Sequence, residues 1–155
     1  MKVQEIMTTA VECCTPSDTA HKAADFMREA DAGVIPVIAG EDDPTVIGIV
    51  TDRDLCMDVV AAGRHPDEVR VQECMTGSVV TCGPDDEVER AAGLMAEKQI
   101  RRIPVVNDKK AILGIVSLAD VARSSRSSSD VGETVQDVSE RTSEPSLPRS
   151  NDRAD

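Results

Sequence analysis

The chain has 155 residues, 40% of them apolar but with a single aromatic, Phe26, and a formal net charge of -12. That length suits one domain or two small repeats around a shared core, which must be built from Val, Ile, Leu, Ala and Met. The acidic excess repels a phosphate backbone and the missing aromatics remove stacking platforms, so nucleic acid is excluded as a partner of the whole surface, while a small anionic ligand held by local Arg is not.

The start, MKVQEIMTTAVECC, has one Lys and no apolar run of signal-peptide kind, and nowhere do 18 apolar residues follow one another. A soluble, cytoplasmic protein with no membrane segment is the expectation. Cys13, Cys14, Cys56, Cys74 and Cys82 form an odd set without a CxxC pair, and His21 and His65 stand apart from them. Reduced, mostly buried thiols are predicted, with neither a zinc site nor a disulfide framework.

In chain order, SDTAHKAADFMREAD places Ala20, Ala23, Ala24, Met27 and Ala30 at helical spacing, with Ser17 available as the cap. GVIPVI follows as a short strand, AGEDDPTV as a polar turn and VIGIV as a second strand, together a hairpin. Pro36 argues for an edge or irregular position, since proline cannot donate to a ladder. A helix is predicted from about Asp52 to Ala62, and GRHPDEVRVQECM reads as a polar connector. The order then returns. Val88, Ala91, Ala92 and Met95 repeat the helical stripe, RRIPVV and ILGIV repeat the hairpin with Pro104 inside it, and a helix runs from about Leu118 to Arg123. These apolar stripes are core positions.

The return is a duplication. Met7, Thr8, Pro16, Asp18, Met27 and Pro36 fall on Met75, Thr76, Pro84, Asp86, Met95 and Pro104, each 68 residues on. After a turn two residues longer in the first copy, Gly48, Ile49, Val50, Thr51 and Asp54 fall on Gly114, Ile115, Val116, Ser117 and Asp120. The chain divides into a first repeat with its connector, 1–66, a second repeat, 67–123, and a tail, 124–155. Ser, acidic residues, Arg and Pro dominate the tail, which predicts disorder.

Each hairpin ends in a hydroxyl residue with Asp three places later. One reading of Thr51 with Asp54, and of Ser117 with Asp120, is a capping box. The other is a ligand site: a hydroxyl beside free amides at a helix start suits a phosphate or ribose oxygen, and the carboxylate can accept two hydrogen bonds from a ribose diol. A purine could slide between the aliphatic strand residues. No nucleophile with an adjacent base accompanies these residues, His21 lying on an exposed helix face and His65 in the connector, so catalysis is not expected.

The order of helix, strand with PV, polar turn, strand with GIV, then Thr or Ser and an Asp, written twice over roughly residues 1–123, resembles the CBS-domain pair, or Bateman module. The resemblance implies an α/β (α+β) fold of two β-α-β-β-α repeats, packed about a pseudo-two-fold axis through their sheets with two clefts between them. It implies a non-catalytic regulatory sensor without an obligatory cofactor, whose ligand is an adenine nucleotide (AMP, ADP or ATP) or S-adenosylmethionine. It also implies a homodimer and a separate effector protein as partner. Carried over by position, Thr51 and Asp54 mark the first cleft and Ser117 and Asp120 the second. Arg101 and Arg102, directly before Ile103, match phosphate-facing positions, where the first copy has Gly33 and Val34. Arg53 could assist at the helix start, and backbone near Cys13 and Asp18, and near Thr81 and Asp86, matches base contacts. The second cleft is therefore expected to hold a phosphorylated ligand better than the first. The alternative is a structural or redox-responsive dimer that keeps the motif as helix caps. Vicinal Cys13 and Cys14 on a strand would point to opposite faces, which strains a mutual disulfide.

Overall fold

The computed structural model describes residues 1–125, so the tail expected to be disordered lies, beyond Ser125, outside the described residues. Helix α1 (Ala20–Ala30) begins where Thr19 Oγ1 accepts the amide of Lys22 at 3.1 Å, and turns Ala20, Ala23 and Met27 inward. Thr19, rather than the expected Ser17, is the cap. Both carry the hydroxyl, but only Thr19 directly precedes the first turn. Strand β1 (Val34–Gly40) pairs antiparallel with β2 (Asp43–Thr51). Helix α2 (Asp52–Leu55) then widens into a π turn over Cys56–Val60, where the sequence predicts one continuous α-helix. After the short α3 (Val71–Cys74), α4 (Val88–Lys98), β3 (Arg102–Val106), β4 (Ile112–Ser117) and α5 (Leu118–Ser124) repeat the pattern.

Mixed helix and strand with two small antiparallel sheets is the architecture the sequence predicts. The opening strand of each repeat is as short as a strand can be, a one-residue parallel bridge of Cys14 to Val37 and of Cys82 to Val105. The prolines explain the thin edge. Pro36 accepts the amide of Cys14 at 3.0 Å through its carbonyl, and Ile38 donates to Cys14 at 2.8 Å, so the missing donor of Pro36 falls on the bridge side and β2 is unaffected. Pro104 does the same beside Cys82.

Two segments pack on the repeat that does not contain their neighbours in sequence. Val3 is fully buried with Val88, Ala91 and Met95 of the second repeat, and its amide donates to Asp86 at 2.9 Å. Val69, Val71 and Cys74 join Ala20, Ala23 and Val50 in the core of the first, where Ala20 donates to the carbonyl of Val69 at 2.9 Å. The stretch predicted to be a polar connector is thus partly core, because its few apolar side chains all face inward while the charged ones face solvent. The Met-Thr pairs extend the exchange. Thr8 bridges Ile115 of β4, and Thr76 bridges Ile49 of β2.

This docking is what the twice-written glycine serves. A Cβ on Gly114 would lie 2.7 Å from the Thr8 carbonyl oxygen, and one on Gly48 would lie 3.0 Å from that of Thr76, so a side chain at either place would push the docked segment off. The two sheets meet at a bridge between Thr45 and Ala111, with the Val46 amide donating to Lys110 at 2.9 Å. Among the described residues, no buried side-chain polar atom lacks a partner.

Candidate functional site

The strand-to-helix junctions carry the candidate residues. Thr51 is extended and precedes α2; its Oγ1 accepts the Asp54 amide at 3.1 Å while Asp54 Oδ2 accepts the Thr51 amide at 2.9 Å. Ser117 does the same before α5, accepting from the Asp120 amide at 3.1 Å. Asp120 Oδ2 takes both the Ser117 amide at 2.8 Å and its hydroxyl at 2.6 Å, and Arg123 Nη2 donates to Oδ1. Both capping boxes are therefore closed, which stabilises each short helix start.

The amides expected to be free at these starts are largely occupied. In the first repeat Asp52 donates to the Gly33 carbonyl at 3.0 Å, Arg53 to Asp52 Oδ1 at 2.8 Å and Asp54 to Thr51. In the second, Leu118 donates to the Arg101 carbonyl at 2.8 Å, and its own apolar side chain offers Ala119 no acceptor. The reason is local: Asp is a self-capping residue and Leu is not.

One cleft, of about 400 Å³, lies between the repeats. Thr8, Ala10, Val11 and Glu12 form one wall, Ala30, Ala32, Val34, Ile35 and Pro36 of the first repeat another, and Arg102, Ile115, Ser117, Ala119, Asp120 and Arg123 of the second the third. It brings together four of the candidates, Val34, Arg102, Ser117 and Asp120. The others are placed elsewhere. Thr51, Asp54 and Arg53 occupy the matching junction on the first repeat. Gly33 lies against the Asp52 carboxylate, whose Oδ2 would be 2.8 Å from an added Cβ. The side chain of Ile103 is fully buried in the second core. Arg101 sits exposed before β3. Cys13 is half-buried, its thiol 3.8 Å from the Val11 carbonyl. Thr81 lines a separate cleft of about 490 Å³ on the second repeat, with Asp86, Arg90 and Lys110.

Sequence reasoning missed Arg123 and the wall from Thr8 to Glu12. The signal for Arg123 was present, since a residue three positions after Asp120 on a helix faces it. The wall had no such signal, because its contribution depends on crossing to the other repeat.

Cys13, Cys14 and Cys82 are poor nucleophiles where they stand. Burial, with Glu12 nearby, pushes Cys13 up to about 11; burial, with Asp18 next in weight, pushes Cys14 up to about 12; and burial, with Asp86, pushes Cys82 up to about 11. Such groups hold little thiolate near neutrality. Among the described residues, no three His, Cys, Asp or Glu side chains gather as a metal ion would require. No helix among them is long and apolar enough to cross a membrane.

Known proteins share this arrangement. The CBS-domain profile matches residues 3–60 and 71–127. The uncharacterized protein YlbB of Bacillus subtilis is 38% identical over 139 residues, which is 90% of this chain and 92% of that one. A crystal structure of hypoxic response protein I with two coordinated zinc ions superposes with a TM-score of 0.70 at 32% identity, covering 79% of this chain and 98% of that one. A CBS-domain pair solved with 5'-methylthioadenosine and S-adenosylmethionine gives a TM-score of 0.69 over 79% of this chain and 94% of that one; at 24% identity the likeness is one of fold.

Proposed function

Because the chain belongs to the CBS-domain family, with two copies in tandem, we propose that it is a regulatory module, without catalytic activity of its own, that binds an adenosine-containing ligand between its repeats. The reading is carried by one juxtaposition. The cleft sets Val34, Ile35 and Pro36 of one repeat opposite Ile115, Ser117, Asp120 and Arg102 of the other. Aliphatic walls suit the faces of a purine, Asp120 a ribose diol, and Arg102 an anionic group. A volume of about 400 Å³ falls within the range of small-molecule sites. A protein of the same fold holds adenosyl ligands, which adds fold-level support only.

The phosphorylated ligands AMP, ADP and ATP suit this cleft better than its counterpart at Thr51 and Asp54. There the Asp52 carboxylate lies against Gly33, at the position where the second repeat has Arg101. A ligand changes the output only through different affinities for two arrangements of the repeats, and that output passes to a separate effector protein. The reading includes a homodimer and a reducing, cytoplasmic setting, which suits five free cysteines. The closed capping boxes favour the rival reading, in which Asp54 and Asp120 are architectural only.

Isothermal titration of AMP, ATP and S-adenosylmethionine into the wild type and Val34→Trp separates the two. An indole at position 34 occupies the cleft while every residue of both capping boxes is kept. At least one ligand is expected to bind the wild type and to weaken about tenfold or more in the variant. Absence of binding by all three to the folded wild type overturns the sensor.

A further inference from the structure

We propose that Arg123 selects the charge of the ligand, exchanging its ion pair with Asp120 for the phosphate of a phosphorylated nucleoside; this rests on the nucleotide reading above. Asp120 Oδ2 already accepts from the amide and the hydroxyl of Ser117, which fills its two lone-pair directions. Oδ1 is therefore the oxygen a ribose diol can use, and Arg123 holds it. The two partners differ in freedom. The side chain of Asp120 is 14% exposed and fixed by its cap, whereas that of Arg123 is 72% exposed. With its cationic partner so open to water, the pair has modest net strength, and a diol can displace the guanidinium while Asp120 stays in place.

The displaced guanidinium remains at the cleft with Arg102 as its cationic neighbour and Glu12 on the opposite wall. A ligand phosphate can take both cations, and guanidinium matches phosphate in a bidentate fork. Adenosine presents the same base and diol but leaves Arg123 without a replacement for Asp120. The preference for phosphate thus comes from re-pairing a cation that the ribose has released. At the matching position the first repeat has Met57, exposed and uncharged, so no such exchange operates there.

The test is the ratio of adenosine to AMP dissociation constants, by isothermal titration, for the wild type, Arg123→Met and Arg123→Gln. Binding tighter for AMP by about tenfold is expected of the wild type, and each variant should reduce that ratio about fivefold or more while binding adenosine as well as or better than the wild type, because Asp120 is released. A purely structural role for Arg123 as a brace of its helix would weaken both ligands together and leave the ratio unchanged. An unchanged ratio in whichever variant folds, judged by circular dichroism, overturns the inference and leaves the sensor reading intact. Failure of the wild type to bind either ligand overturns the inference, and the sensor reading falls with it only where ATP and S-adenosylmethionine fail to bind as well.

Discussion

At the end of β2, Asp52 rests its carboxylate against Gly33 and Asp54 closes a cap, with Met57 one turn further along. At the end of β4 the matching positions hold Leu118, Arg101, Asp120 and Arg123 around a cap of the same geometry. The hydrogen bonds that start the helix are retained in both halves, while the charges around them differ: Asp52 and Arg53 in the first, Arg101 and Arg123 in the second. The difference teaches that the hydroxyl-carboxylate pair starts the helix alike in both halves, and that the residues beside it are what set the two junctions apart. A motif match alone finds the cap; it does not find the site.

The comparison can be broken in its core first. Met95 is fully buried and Met27 is 8% exposed at the same place on the two long helices. Met95→Ala should cost about 3 kcal/mol by urea denaturation and Met27→Ala less, because the less enclosed site can relax or admit water. Equal losses would show that the two cores are packed alike. The second break is at the docked segments. Gly114→Ala should cost about 2 kcal/mol and Gly48→Ala less, since the clash with Thr8 is the closer of the two, 2.7 Å against 3.0 Å. The reverse order would mean that the amino-terminal segment yields more easily than the connector.

The smallest effect sharpens the comparison at the turns before the long helices. Asp18 accepts the Thr15 amide at 2.8 Å and pairs with Lys22 at 3.0 Å, as Asp86 does with Gly83 and Arg90. Partial burial pushes the Asp18 carboxyl up, but the Thr15 amide and Lys22 together hold it below the ordinary value of 3.8. A depressed folded value contributes stability that is present above the unfolded value and lost as pH falls through the folded one. Asp18→Asn should therefore lower stability near neutrality by less than about 1 kcal/mol and flatten the acid limb below about pH 4, so that variant and wild type converge at low pH. Denaturation midpoints at a series of pH values give the measurement.

Much of the fold was legible because the duplication let each half check the other. The stripe through Met27 and Met95, the hairpins around Pro36 and Pro104 and the hydroxyl-Asp pairs each occur twice, and local rules of period and capping govern all of them. The pairing of the Met-Thr segments was not legible, for the same reason. Both repeats present the same Gly-Ile-Val acceptor, so docking within a repeat and docking across repeats look identical in sequence. Val69 and Val71 were hidden by the charged residues around them, which carry no information about which few side chains turn inward. Asp120 was identified as a site candidate, whereas Arg123 was overlooked because the duplicated pattern stops at Asp120 and only the geometry of the cleft gives the next turn a role.

The chain crosses from one body to the other twice, once between Thr8 and Cys14 and once between Thr76 and Cys82, each time tied down by backbone bridges at both ends. Two short tethers between the same pair of bodies resist pulling apart far more than they resist twisting. The Thr45–Ala111 bridge is a third tie between them, and the first crossing is itself a wall of the cleft between the repeats. A ligand bound there as proposed would lie directly against this crossing, without a relay through the interior.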